Sequence, residues 1–125
     1  MDAAASGHAA RVALAAAQLR SAGQGAGAIA LRKRTSNLFR DRRNDGRRRI
    51  DLSSLNHVIA ADAQSGWVDV EGMTTYEDLV AWTLPHGFMP AVVPQLKTIT
   101  IGGAAAGVGI EATSFRHGLV HDTLR

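Results

Sequence analysis

A cluster of four glycines near the end of the chain has the residue types and spacing to hold a ligand against the main chain. Its members are Gly102, Gly103, Gly107 and Gly109. Glycine lets the backbone approach a ligand closely, and its exposed N–H groups can bind phosphate or the oxygens and nitrogens of a cofactor. Thr98 and Thr100 add hydroxyl groups just before the cluster. The same small residues also suit a tight packing turn, and composition alone does not choose between the two.

A second candidate segment is the basic, hydroxyl-rich run from Arg32 to Phe39. Its backbone amides, with the hydroxyls of Thr35 and Ser36, could cradle a pyrophosphate that Arg34 would neutralise. The alternative is a solvated basic turn. Neither segment has the spacing of a P-loop, and the glycine cluster does not open a helix after a first strand as a Rossmann fingerprint does.

The remaining ionisable residues do not form a catalytic set. His117 and His121 have a spacing that would suit a metal pair on a helix, with Glu111 nearby, but a glycine between them weakens the helix and there is no HExxH order. His57 and His86 stand alone. We therefore expect no metal site and assign no catalytic residue.

The composition is that of a small globular domain with one strongly basic segment. Of the 125 residues, 46% are apolar, 20% are charged and none is cysteine, which excludes disulfides, zinc–thiolate sites and iron–sulfur clusters. Nine of the 14 basic residues lie between Arg32 and Arg49. Such a block can meet phosphates, nucleic acid or an acidic membrane surface, although no nucleic-acid-binding motif accompanies it. No stretch approaches the ~20 apolar residues that span a bilayer.

Hydrophobic periodicity and turn residues predict a mixed α+β fold. The first predicted helix is Ala9–Leu19, in which Val12, Leu14 and Leu19 form a thin apolar stripe, and the Ser/Gly-rich run 21–27 ends it. The predicted strands are Ala28–Arg34, Ile50–Leu55, His57–Asp62, Trp67–Glu71 and Ile99–Ile101.

The third and fourth of these strands read as a hairpin, because Gln64-Ser65-Gly66 provides a tight connection between them. In the second strand of the hairpin, Val68 and Val70 face one side. Asp69 and Glu71 face the other, a pattern typical of a solvated face.

A helix follows the hairpin. Thr74 and Glu77 have the spacing of a capping box, with Thr74 as N-cap, and Pro85 and Gly87 end the helix. The last strand then runs directly into Gly102, so the glycine cluster is predicted as a turn.

Three runs of sequence carry a resemblance to a known family. They are IDLSSLNHVIAAD, VDVEGMTTYEDLV and LPHGFMPAVVPQLKTITIGGAAAGVGIEATSFRHGLVHDT. Together they resemble the FAD-binding domain of the vanillyl-alcohol-oxidase (PCMH) type, and within it the delta(24)-sterol reductase group of FAD-linked oxidoreductases. The combination of a proline pair, a TxGG turn, two further glycines and IExxS is the specific part.

The resemblance implies which residues contact FAD. One set lies along the flavin and its ribityl-phosphate arm, and Gln95 sits in the turn beside it. That set is Thr100, Ile101, Gly102, Gly103, Gly107, Val108, Gly109, Ile110 and Glu111. A second set occupies the place of the family's first pyrophosphate loop, where many relatives have a glycine-rich turn instead: Arg34, Thr35, Ser36, Asn37 and Leu38. Many members of the family attach FAD covalently through a histidine in or near this first loop. No histidine lies between His8 and His57, so the resemblance implies FAD that is held non-covalently.

The resemblance also implies a division of the chain and a class of reaction. Residues 1–27 form an Ala/Gly-rich helix and linker, and residues 28–125 form the N-terminal part of the FAD domain, without the substrate domain of family members. The parent enzyme would either reduce a carbon–carbon double bond in a sterol-like lipid or oxidise an alcohol. The alternative is a truncated, non-catalytic module that binds flavin weakly or an anionic partner through the Arg-rich loop. We expect a cytoplasmic location, with membrane association as the alternative, and no nucleic-acid partner.

Overall fold

The computed structural model describes residues 3–32 and 46–125, in two compact units formed by residues 1–55 and 56–125. The first unit contains helix α1 (Ala3–Gly23) and strands β1 (Ile29–Arg32) and β2 (Arg48–Asp51). The two strands are parallel. β2 begins two residues earlier than predicted, so that Arg48 and Arg49 belong to a strand and not to a charged loop.

Helix α1 is longer than predicted and turns a polar side chain towards β2. The side-chain amide of Gln18 donates to the Asp51 carbonyl at 3.0 Å and accepts from the Asp51 N–H at 2.8 Å. The expected apolar stripe is not the buried side, because Val12, Leu14 and Leu19 are 43%, 64% and 52% exposed. The half-buried side of the helix instead carries Gln18 together with small residues such as Ala15 and Ala22.

The second unit opens with the predicted hairpin, formed by β3 (Val58–Asp62) and β4 (Trp67–Val70). Gly66 closes the turn with φ +74°, a conformation that favours glycine. Val68 and Val70 pack against the core as expected. Glu71 does not lie on a solvated face, since the residue is only 3% exposed.

Helix α2 (Tyr76–Thr83) begins one residue later than the capping box predicted. Its N-cap is Thr75, whose hydroxyl accepts the Asp78 N–H at 3.1 Å and donates to the Asp78 carboxylate at 2.6 Å. Thr74 cannot serve as the cap, because it is fully buried and its hydroxyl donates to the His57 carbonyl at 3.3 Å. A short 3-10 turn and Gly87, with φ +84°, end the helix as predicted.

Three short helical segments complete the unit: α3 (Ile101–Ala106), α4 (Ser114–His117) and a 3-10 turn at Val120–Thr123. They close over a core of six buried residues, Tyr76, Leu79, Val92, Ile101, Ala104 and Val120. The α+β class is therefore confirmed. None of the helices in the described part of the chain has the length and apolar character needed to cross a bilayer.

Candidate cofactor site

The first glycine pair lies in the opening turn of helix α3 and not in the glycine-rich turn predicted from the sequence. Thr100 is the N-cap, and its hydroxyl accepts the Gly103 N–H at 3.1 Å. The strand expected here is reduced to a single bridge between Thr75 and Thr100. Ile101 and Ala104 point into the core, so apolar residues three positions apart favour a helix over continued strand.

The amides at the start of α3 are engaged within the protein. Ile101 N–H donates to the Thr74 carbonyl at 2.9 Å, and Gly102 N–H donates to the Gly72 carbonyl at 2.8 Å. With the Gly103 amide held by Thr100, these three amides are not free donors for phosphate or flavin. A ligand at this surface would contact main-chain carbon atoms and neighbouring side chains.

The four glycines have two kinds of surroundings. A Cβ at Gly102 would lie 2.9 Å from the Gly72 carbonyl oxygen, and one at Gly109 would lie 2.9 Å from Val120 Cγ2. These two glycines permit close packing. A Cβ at Gly103 would meet only the Thr100 hydroxyl, and one at Gly107 only the Gly103 carbonyl oxygen, each at 2.9 Å. The packing alternative is therefore present at Gly102 and Gly109, whereas a Cβ at Gly103 or Gly107 would meet no atom outside the segment 100–107.

Helix α3 ends in a Schellman motif with valine in the position that glycine usually takes. The Val108 and Gly109 amides donate to the carbonyls of Ala105 and Ala104, at 3.5 and 3.0 Å. Val108 has φ +54° and is 52% exposed. A β-branched residue in this conformation is strained by about 1–2 kcal/mol. The next exposed apolar side chain is Ile110, at 69%.

The structure brings Gln95 next to the end of this segment. The Gln95 N–H donates to Glu111 Oε2 at 3.3 Å, and the Glu111 N–H donates to the Ser114 hydroxyl at 2.9 Å. Burial raises the pKa of the Tyr76 hydroxyl, and the charge of Glu111 adds to the shift. Gln95 therefore lies beside Glu111, the last residue of the run 100–111.

The other residues considered from the sequence fall into two groups. Arg34, Thr35, Ser36, Asn37 and Leu38 lie outside the residues that the structure describes. His117 ends α4, and His121 lies 3.6 Å from the Asp122 carboxylate. Across the described ranges, no group of three or more His, Cys, Asp or Glu side chains is arranged to hold a metal ion.

Sequence reasoning missed the turn that supports α3. Glu71 is buried, and its Oε2 accepts the His57 N–H at 2.8 Å and lies 3.0 Å from His57 Nδ1. The alternating pattern of β4 assigned Glu71 to solvent, because the pattern does not show that the strand ends at Val70. The one available signal was the glycine that follows Glu71, which marks a close backbone approach.

Comparison with known proteins agrees with the resemblance carried by the motifs. A family model described as "FAD binding domain" matches residues 8–125. The chain is 32% identical over 75 residues to a delta(24)-sterol reductase of Pisum sativum, covering 60% of this chain and 13% of that protein. It is 34% identical over 61 residues to a decaprenylphosphoryl-beta-D-ribose oxidase of Mycolicibacterium smegmatis, covering 49% of this chain and 13% of that protein.

A third relative is cytokinin dehydrogenase 10 of Oryza sativa subsp. japonica, 32% identical over 76 residues, covering 55% of this chain and 14% of that protein. The matched region is thus about one-seventh of the length of these relatives. The predicted resemblance to FAD-linked oxidoreductases is confirmed. Because the family match extends from residue 8 to the last residue, the chain belongs to the FAD binding domain family, with FAD as its cofactor.

Proposed function

We propose that this chain supplies part of the FAD site of a flavin-dependent oxidoreductase and holds the cofactor non-covalently along residues 100–111, beside Gln95. The family match over residues 8–125 carries this proposal. The relatives' names, a reductase, an oxidase and a dehydrogenase, support an oxidoreductase.

The surface of the segment fits a cofactor that lies against the main chain. The outward sides of Gly103 and Gly107 meet only atoms of their own helix and cap. Residues 106–108 are exposed, as is Gln95. Because the first amides of α3 are engaged, hydrogen bonds to the cofactor come from side chains such as those of Gln95 and Thr98, which is also exposed. Bound FAD supplies hydride transfer at its ring, and the chain binds and orients it.

The first pyrophosphate loop, Arg34 to Leu38, completes the proposed set. Its arginine and hydroxyl residues suit the charge and acceptors of a pyrophosphate. Replacing Arg34 with Ala should weaken binding of FAD more than binding of riboflavin, since riboflavin has no phosphate. Equal losses for the two ligands would remove Arg34 from the proposed site.

We infer that the parent enzyme either reduces a carbon–carbon double bond in a sterol-like lipid or oxidises an alcohol. The names of the sterol reductase and the ribose oxidase among the relatives support these two reactions. A cytoplasmic location stays a prediction that cell fractionation tests.

An FAD titration of the purified 125-residue chain tests the proposal. We expect the visible absorption and fluorescence of FAD to change saturably on binding, and all flavin to be released when the protein is precipitated with acid. A folded chain that leaves the FAD signal unchanged would contradict the proposed site. Flavin that stays with the precipitate would contradict non-covalent attachment.

The alternative function is capture of an anionic partner by the basic segment. Nine of the 14 basic residues lie between Arg32 and Arg49, which favours it. Arg48 weighs against it, because its guanidinium donates to the Gly25 carbonyl within the unit. Binding of a polyanion such as heparin, falling steeply with salt and occurring without any FAD binding, would favour this alternative.

A further inference from the structure

The turn between β4 and α2 is fixed by a buried carboxylate. The Glu71 side chain has no exposed surface, whereas the side chain of its partner His57 is 53% exposed. Three contacts join the two residues: His57 N–H to Glu71 Oε2 at 2.8 Å, His57 Nδ1 to the same oxygen at 3.0 Å, and Glu71 N–H to the His57 carbonyl at 2.9 Å. Burial of a carboxylate is tolerated only when it is hydrogen-bonded in this way.

Thr74 is held by the same pair. Its N–H donates to the Glu71 carbonyl at 3.0 Å, and its hydroxyl donates to the His57 carbonyl at 3.3 Å. The carbonyls of Gly72 and Thr74 are therefore fixed in direction. These are the two carbonyls that accept the first two amides of α3.

We propose that Glu71 is a positioning residue for the cofactor segment: its bonds to His57 fix the turn 71–74, whose carbonyls set the place of α3. This inference rests on the proposed role of residues 100–111 in binding FAD. Glu71 acts through Gly72 and Thr74 and does not itself contact the cofactor. The turn 71–74 and helix α3 are in tight contact at Gly72 and Gly102, because a Cβ added to Gly102 would lie only 2.9 Å from the Gly72 carbonyl oxygen.

Three substitutions separate positioning from simple loss of charge. Glu71→Ala removes the acceptor of both His57 contacts. Glu71→Gln keeps an acceptor oxygen of the same reach without the charge. Asp69→Ala is the matched control, because it removes an exposed carboxylate two residues earlier, in strand β4.

The variants are compared by FAD affinity, by the circular dichroism of the bound flavin, and by amide exchange of Ile101 and Gly102 without FAD. We expect Glu71→Ala to lose up to about tenfold in FAD affinity, the factor that corresponds to one hydrogen bond to a charged group in folding, because the loss reaches the cofactor only through α3. Its flavin dichroism should change and the two amides should exchange faster. Glu71→Gln should recover most of the affinity, and Asp69→Ala should match the wild type.

A folded Glu71→Ala chain with wild-type affinity, flavin dichroism and amide exchange would overturn the inference. If Glu71→Ala does not fold, His57→Ala tests the inference instead, because it removes only the contact from Nδ1. Faster exchange of the Ile101 and Gly102 amides in this variant would support the role of Glu71 in positioning α3. Unchanged exchange would contradict that role. A wild-type chain that binds no FAD would refute the proposed function alone. The exchange of the two amides would then still decide whether Glu71 positions α3.

Discussion

Two adjacent glycines should differ in how much stability the chain loses when each is replaced by alanine. At Gly102, an added Cβ would lie 2.9 Å from the Gly72 carbonyl oxygen and 3.5 Å from two further main-chain atoms of Gly72. Main chain cannot rotate away as a side chain does, so either α3 or the preceding turn must shift. At Gly103, the same Cβ would meet only the Thr100 hydroxyl, which can rotate about one bond.

The difference in stability follows from these contacts. Gly102→Ala should lower the free energy of unfolding by about 1–3 kcal/mol, the usual cost of overpacking. Loss of the Gly102 to Gly72 hydrogen bond, about 1 kcal/mol, is roughly offset by the better helix propensity of alanine. For Gly103→Ala, the gain in propensity of about 1 kcal/mol and the disturbance of the Thr100 cap, also about 1 kcal/mol, nearly cancel.

Urea unfolding of the chain without FAD measures this difference, and FAD titration of the same variants separates folding from binding. Gly103→Ala should unfold close to the wild-type midpoint, and Gly103→Val should stay folded but lose FAD binding, because its larger side chain occupies the surface assigned to the cofactor. Equal stability of the Gly102 and Gly103 alanine variants would refute the packing argument. A folded Gly103→Val chain with wild-type FAD affinity would refute the binding argument.

Three further predictions concern the elements around the site. Thr75→Ala should lower the free energy of unfolding by about 1 kcal/mol, because it removes the N-cap of α2. Glu77→Gln should change the free energy of unfolding little. Equal effects of the two variants in urea unfolding would favour the capping box with Thr74 as N-cap and Glu77 as its partner. Val108→Gly should raise the free energy of unfolding by about 0.5–1 kcal/mol, because glycine adopts a positive φ without strain. A lower urea midpoint than that of the wild type would contradict the presence of this strain. Because burial raises the Tyr76 pKa above 10.0, the folded chain keeps a proton that the unfolded chain loses, so stability should fall as pH rises past 10.0. Tyr76→Phe should remove the loss of stability that Tyr76 causes at alkaline pH. An unchanged dependence of stability on pH in this variant would show that Tyr76 does not cause the loss.

Patterns confined to a few neighbouring residues were predicted well from the sequence. The hairpin follows from the turn residues ending in Gly66, and the end of α2 from Pro85 and Gly87. Both depend on backbone preferences that a glycine or proline imposes wherever it stands. The family follows from spaced motifs that include the glycine cluster, and the comparisons confirmed it.

The predictions were wrong where a residue forms its hydrogen bond with a partner that is distant along the chain. Thr74 has the sequence of an N-cap, but its hydroxyl is taken by His57, so Thr75 caps α2. The alternating pattern of β4 places Glu71 on the solvent-facing side, but its side chain is buried and accepts a hydrogen bond from the His57 N–H. Helix α3 starts at the glycine pair because the amides of Ile101 and Gly102 find acceptors in the turn 71–74. No local pattern contains these partners, which lie 14 to 30 positions away along the chain.

Amide exchange of the intact chain with and without saturating FAD tests the central claim most directly. The proposed site predicts that FAD slows exchange in the segment Thr100–Glu111 and around Gln95, while exchange in the hairpin β3–β4 stays unchanged. FAD that binds the folded chain without slowing exchange anywhere in 100–111, or that slows it only elsewhere, would contradict the assignment of this segment to the cofactor.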